Sequence, residues 1–287
     1  MITIVLCALA ALAVWFSFFL GRDFFKHKKS LENVSWLKTG VIGFVVNFFD
    51  TLGVGAFAPQ TALLKFTRQT KDKQIPGTLN VANTLPTLAE AIIFIKIIEV
   101  DITTLIVMVL AAMFGAIIGA GMVAKFSESK VRLTMGIALL VTASFMLANK
   151  FNLIQGSGSE TGLTGAKLVI AGAVNFILGA LMTAGIGLYA PCMALVFALG
   201  LSPKVAFPIM MGSCAFLMPP ASYKFIKAAA YNRKAAVGMA IPGIVGVLLA
   251  AFIVKSLPLD IFRWIVIVVI LYTSATMLFA YFKKNSS

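Results

Sequence analysis

Charge is scarce in this chain. Asp, Glu, Lys and Arg make up 12% of its 287 residues, and only 10 residues are acidic. A soluble domain carries roughly a quarter of its residues charged, so a soluble globular protein is excluded. Histidine is almost missing: the one copy, His27, sits in a basic stretch. No Ser/His or His/Asp constellation, metal-ligand cluster or phosphate loop is present, so neither an enzyme nor a cofactor or metal site is implied. The three cysteines, Cys7, Cys192 and Cys214, lie in apolar segments without ligand spacing and read as packed thiols.

Apolar sequence is what the chain has in excess, at 60% of its residues. It comes in segments of roughly 17 to 25 residues, enough to cross a bilayer core, along the whole length. The reading is a multi-span protein whose surroundings are the lipid bilayer of the bacterial cytoplasmic membrane. The net charge of +14 is dispersed among the spans, as expected of Lys and Arg in cytoplasmic loops, and implies no nucleic-acid partner. The first segment, Ile2 to Leu20, has no basic residue before it and Arg22, Lys26, Lys28 and Lys29 after it. That polarity predicts a retained helix with the N-terminus outside, and the C-terminus then falls in the cytoplasm.

The heptapeptide Gly53-Val-Gly55-Ala-Phe-Ala58-Pro59 returns as Gly185-Ile-Gly187-Leu-Tyr-Ala190-Pro191. Pro76 and Pro208, Pro86 and Pro219, Lys125 and Lys255, and Arg132 and Arg263 match at nearly the same offset. Four parts follow: an N-terminal helix and basic loop over 1–35, repeat unit one over 36–149, an external linker over 150–165 and repeat unit two over 166–287. The linker's Gln155-Gly-Ser-Gly-Ser-Glu-Thr-Gly reads as flexible. Each unit holds four apolar segments: 36–65, 76–98, 102–124 and 131–149, then 166–200, 205–227, 235–254 and 260–282.

The first segment of each unit carries the Gly-x-Gly break, and it spans the membrane or dips in and returns. If both are re-entrant, only Lys96, Lys150, Lys167, Lys204, Lys255 and Arg263 lie outside, six of the 24 basic residues. Full spans would leave 10 outside, so basic-residue asymmetry favours re-entrance. Each unit then crosses three times and the two face opposite ways. The expected fold is an all-α polytopic membrane protein, one N-terminal helix plus two inverted repeats, each a re-entrant broken-helix hairpin followed by three transmembrane helices.

A helix that begins at membrane depth aims unpaired N–H groups and a positive dipole end at the middle. Two such ends form an anion site without a lysine or arginine in the hydrocarbon. The residues at and beside the breaks are the candidates for substrate contact: Asn47, Thr51, Gly53, Gly55, Asn175, Thr183, Gly185 and Gly187. The following segments add Asn80, Asn83 and Ser213, for which hydrogen bonding between helices is an equal reading. Asp50 and Glu90 lie within apolar segments, where an acid is a functional candidate, here for proton coupling. Asp50 could instead cap the returning half-helix. Unit two offers no such acid, since Met182 aligns with Asp50.

Gly43-Phe-Val-Val-Asn-Phe-Phe-Asp-Thr-Leu-Gly-Val-Gly-Ala-Phe-Ala-Pro59 and its recurrence resemble the TauE/SafE-type sulfite exporter family, also called the toluene-sulfonate uptake permease (TSUP) family. The likeness covers about residues 36 to 283. One departure is Gly53-Val-Gly55-Ala, where many members have three glycines in a row. The resemblance implies secondary transport of a small anion of the sulfite, sulfonate, sulfoacetate or thiosulfate class. An anion-selective channel built on the same half-helices is the alternative. No oligomeric state follows from the sequence.

Overall fold

The computed structural model describes residues 2–52, 54–94, 100–153, 158–253 and 259–285, and these form eleven α-helices joined by short turns. In chain order they are α1 (Ile2–Lys26), α2 (Trp36–Thr51), α3 (Phe57–Phe66), α4 (Ile75–Phe94), α5 (Ile102–Val123), α6 (Glu128–Lys150), α7 (Gly165–Thr183), α8 (Tyr189–Ala198), α9 (Pro203–Lys227), α10 (Arg233–Ile253) and α11 (Leu259–Asn285). Among the described residues the only β-type pairing is one bridge between Glu160 and Leu201.

Local chemistry sets the helix limits. Ser35 caps α2 by accepting from the Lys38 N–H, and Asp101 caps α5 by accepting from the Thr104 N–H at 2.8 Å. That contact, with a second from the Thr104 hydroxyl, holds the Asp101 carboxyl below its usual range. The first long segment breaks after Thr51 and restarts at Phe57, and the matching segment breaks after Thr183 and restarts at Tyr189. Gly55 (φ 91°) and Gly185 (φ 107°) turn the chain through the left-handed region.

α1, α5, α6, α7 and α10 are long and apolar enough to cross a membrane by length and composition. α11, also expected to span, is not among them, and neither are α4 and α9. The polar and proline residues of α4 and α9 lower their hydropathy, and much of each is buried among other helices. At 19 residues α7 is about 28 Å long, more than the half-span expected of it.

Packing follows small residues. A side chain at Gly43 of α2 would strike the Met239 backbone of α10, and one at Gly179 of α7 the Ala112 backbone of α5. α2 rests on α10 and α7 on α5, while α4 packs on α10 and α9 on α5. α4 also packs on α9, where Thr84 and Ser222 share a 2.8 Å hydrogen bond, and α6 on α11. Exchanging α2–α6 for α7–α11 leaves this pattern unchanged.

Both broken segments are hairpins in space. The Ser35 N–H, before α2, donates to Gln69 Oε1, after α3, at 2.8 Å. The chain before α7 likewise meets the chain after α8, where the Ser202 N–H donates to the Glu160 carbonyl at 2.9 Å. The first hairpin closes beside the α9–α10 turn, where Asp23 accepts from the Tyr231 hydroxyl and the Arg233 Nε, each at 2.7 Å. Burial and that carboxylate raise the Tyr231 hydroxyl above its ordinary range. The second closes beside the start of α5, where the Asp101 N–H donates to the Thr161 carbonyl at 3.1 Å.

Within the stretch Gln155 to Gly162, read as flexible, residues 158 and 160–162 make backbone contacts or close approaches. Glu160 and Thr161 are in the backbone bonds just described, and the Leu163 N–H donates to Thr104 Oγ1 at 2.8 Å. A side chain at Gly158 would strike the Gly200 backbone, so this glycine serves close approach rather than freedom. Gln155, Gly156 and Ser157 lie outside the described residues.

Candidate functional site

Between the two breaks lies a cavity of about 150 Å³. The start of α3, through Ala56, Phe57 and Ala58, reaches it from one hairpin, and Gly187, Leu188 and Met193 from the other. The N-cap residues of α3 and α8, Ala56 and Leu188, make no side-chain cap bond of their own. Pro59 and Pro191, each third in its helix, have no N–H to leave unpaired. A Cβ placed on Gly55 or Gly187 meets nothing within 4 Å, and both glycines line the cavity. The backbone at both breaks is therefore open to a ligand.

Asp50, Thr51 and Glu90 form the polar wall, with Thr87 and Cys214 beside them. Thr51 Oγ1 lies 2.6 Å from Glu90 Oε1 and 2.9 Å from the Asn47 carbonyl. The Asp50 carboxyl accepts from the backbone N–H of Ala56, the residue ahead of α3. Among the described residues neither acid is in an ion pair. Most of the rest of the wall is soft and apolar, with Met146, Met182, Met193, Met211, Phe145 and Ile267.

Of the residues singled out in the sequence, Asp50, Thr51, Gly55, Glu90 and Gly187 line the cavity. Gly53 lies outside the described residues. The others sit behind the wall, in contacts between or within helices. Asn47 donates to the Gly43 carbonyl at 2.8 Å and packs on Gly243 of α10. Asn80 donates to the Pro76 carbonyl at 2.8 Å and, at 3.4 Å, to the Thr183 carbonyl. Asn83 exchanges hydrogen bonds with Gln60 of α3, at 2.6 and 3.0 Å. Asn175 bridges the Met108 carbonyl (2.7 Å) and the Ser213 hydroxyl (3.1 Å), and Thr183 donates to its own helix at Ala180. Gly185 turns the chain beside Met135. The Oδ1 atoms of Asn47, Asn80 and Asn175 are buried with no hydrogen-bond partner among the described residues.

The cavity also has a basic residue, one that the sequence places at a span end. Lys150, in the last turn of α6, lines it and supplies a positive charge to an otherwise acidic and apolar wall. In the sequence it looks like an ordinary span-end lysine, and only the direction of α6 brings it to the cavity. Gln60 and the cavity methionines were also missed, since nothing in their spacing separates them from packing residues.

A family model described as Sulfite exporter TauE/SafE matches residues 1–146 and 168–287. No curated protein and no solved structure matches the chain.

Proposed function

The chain belongs to the sulfite exporter TauE/SafE family, a family of membrane transporters, and from that premise we propose that it is a secondary transporter for a small organic or sulfur-containing anion. The substrate class is sulfite, sulfonate, sulfoacetate or thiosulfate, and the anion is held between the openings of α3 and α8. One observation carries this reading. Two half-helix starts, whose N-cap residues make no side-chain cap bond of their own, and two sterically open glycines face the same cavity, which is how a backbone receives an anion. Lys150 adds long-range attraction at the α6 end.

The proposal includes the membrane arrangement. Two inverted repeats place α2–α3 and α7–α8 as re-entrant hairpins from opposite faces, with the N-terminus outside and the C-terminus in the cytoplasm. The hydrogen bonds that close each hairpin at its own end support it. Asp50 and Glu90 are the coupling groups: proton uptake at this wall accompanies movement of the anion, so an ion gradient drives transport. Asn47, Asn80, Asn83, Asn175, Thr183, Gly185 and Ser213 are assigned to holding the cavity's shape.

The test is a thermal-shift screen of purified protein against sulfite, thiosulfate, sulfoacetate, taurine and small carboxylates. One of these anions should stabilise the wild type, and Gly187→Leu should remove the effect. Gly187 is the cleaner choice because Gly55 has a left-handed φ, so its replacement adds strain. Stabilisation that survives Gly187→Leu places the anion elsewhere.

A further inference from the structure

α6 and α11 stand apart from the other helices. They pack antiparallel on each other, with Ser274 donating to the Gly136 carbonyl at 2.6 Å and Phe151 against Trp264 at 6.3 Å. Their main remaining contacts are α11 with α3, α6 with α8, and α6 with the turn at Asp72–Gln74. The other helices are tied to one another by the extensive contacts of α2 with α10, α7 with α5, and α4 with α9. The cavity lies between these two bodies: Thr142, Met146, Lys150 and Ile267 come from the pair, and Asp50 and Glu90 from the other body.

The four cavity residues contributed by α6 all fall in its C-terminal half. The N-terminal half is fastened. Asp72 accepts from Arg132 Nε at 2.8 Å and from Lys65 Nζ at 3.1 Å, and Arg132 also donates to Glu128 at 2.6 Å. Asp72 and Arg132 are mostly shielded, with side chains 14% and 23% exposed. Lys65 ends α3, the half-helix whose start lines the cavity. One carboxylate thus ties the returning half-helix to the far end of the helix pair. In unit two the position equivalent to Asp72 is Lys204, four residues before Pro208 as Asp72 is four before Pro76. At that position the acid is present in unit one alone.

Resting on the transporter reading above, we propose that the α6–α11 pair is the moving element and that Asp72, with Lys65 and Arg132, is the latch that closes the cavity at the Asp72 face. With the latch formed, the cavity is reached from the Lys150 end. Release of Asp72 lets the first turns of α6 swing from α3 and exposes the same wall to the other face.

Cys214, in the cavity wall, reports this directly. Cys7 and Cys192 are first replaced by serine and alanine. A membrane-impermeant thiol reagent is then applied to each face of vesicles, the Asp72 face being identified with a Lys71→Cys control. Wild type should label from the Lys150 face. Asp72→Asn and, separately, Arg132→Gln should speed labelling from the Asp72 face about fivefold or more, and Asp72→Glu should restore the wild-type pattern. Labelling from the Asp72 face that stays unchanged in both Asp72→Asn and Arg132→Gln would overturn the latch. The assay uses no substrate. A latch that fails here leaves the anion stabilisation test intact, and a latch that holds in a protein no anion stabilises sinks the transport reading alone.

Discussion

The two hairpins share a backbone and differ in chemistry. Asp50 of the first and Met182 of the second occupy equivalent positions, and both line the cavity. Gly55 and Gly187 are likewise equivalent and open to it. In α2 a glycine precedes an asparagine by one turn (Gly43, Asn47); in α7 the order is reversed (Asn175, Gly179). On the proposed reading, duplication supplies two matching places for an anion, while both carboxyl groups come from unit one. An acid in each hairpin would put like charges beside a negatively charged ligand. Keeping both carboxyls on one wall leaves the second hairpin free to contact the anion.

Four experiments test that division. Filling the shared backbone site should have the largest effect: Gly187→Leu weakens anion binding about fivefold to a hundredfold, read by thermal shift and uptake. Next, Glu90→Gln and Asp50→Asn should abolish the dependence of uptake on a pH gradient and keep anion stabilisation, whereas Met182→Asn should leave uptake within about twofold of wild type. A Met182→Asn effect as large as that of Asp50→Asn breaks the asymmetry. Third, Lys150→Gln should raise the apparent KM by about two- to tenfold at low salt, less at high salt, with the maximal rate unchanged. Smallest for transport is the buried pair behind the wall. Asn83→Leu leaves Gln60 unsatisfied and should cost about 1 to 3 kcal/mol of stability, part of it recovered in the Gln60→Leu, Asn83→Leu double variant, with coupling intact.

The helices were legible because apolar runs and their interruptions are written in one dimension. Expected segments such as 102–124 and 235–254 correspond to Ile102–Val123 and Arg233–Ile253 within a residue or two. Asp50 and Glu90 stood out because acids are rare in apolar sequence, and they do meet at one wall. The partner of a polar side chain was not legible, because it depends on how a helix is rotated against its neighbour. Asn83 found Gln60, and Asn175 found Met108 and Ser213. The linker is a related case: its glycines read as freedom, and only the packing shows Gly158 lying against the Gly200 backbone.

Thr51 has one hydroxyl proton and two acceptors within reach, the Asn47 carbonyl and Glu90. With Glu90 protonated, the acid donates to Thr51 and the Thr51 hydroxyl donates its hydrogen bond to the Asn47 carbonyl. With Glu90 ionised, Thr51 turns to the carboxylate and the carbonyl loses that partner. The charge on Glu90 is thereby written into the last turn of α2, just ahead of the first break. Thr51→Val removes that link, so it should leave the anion's stabilising effect in place and weaken, without abolishing, its dependence on pH.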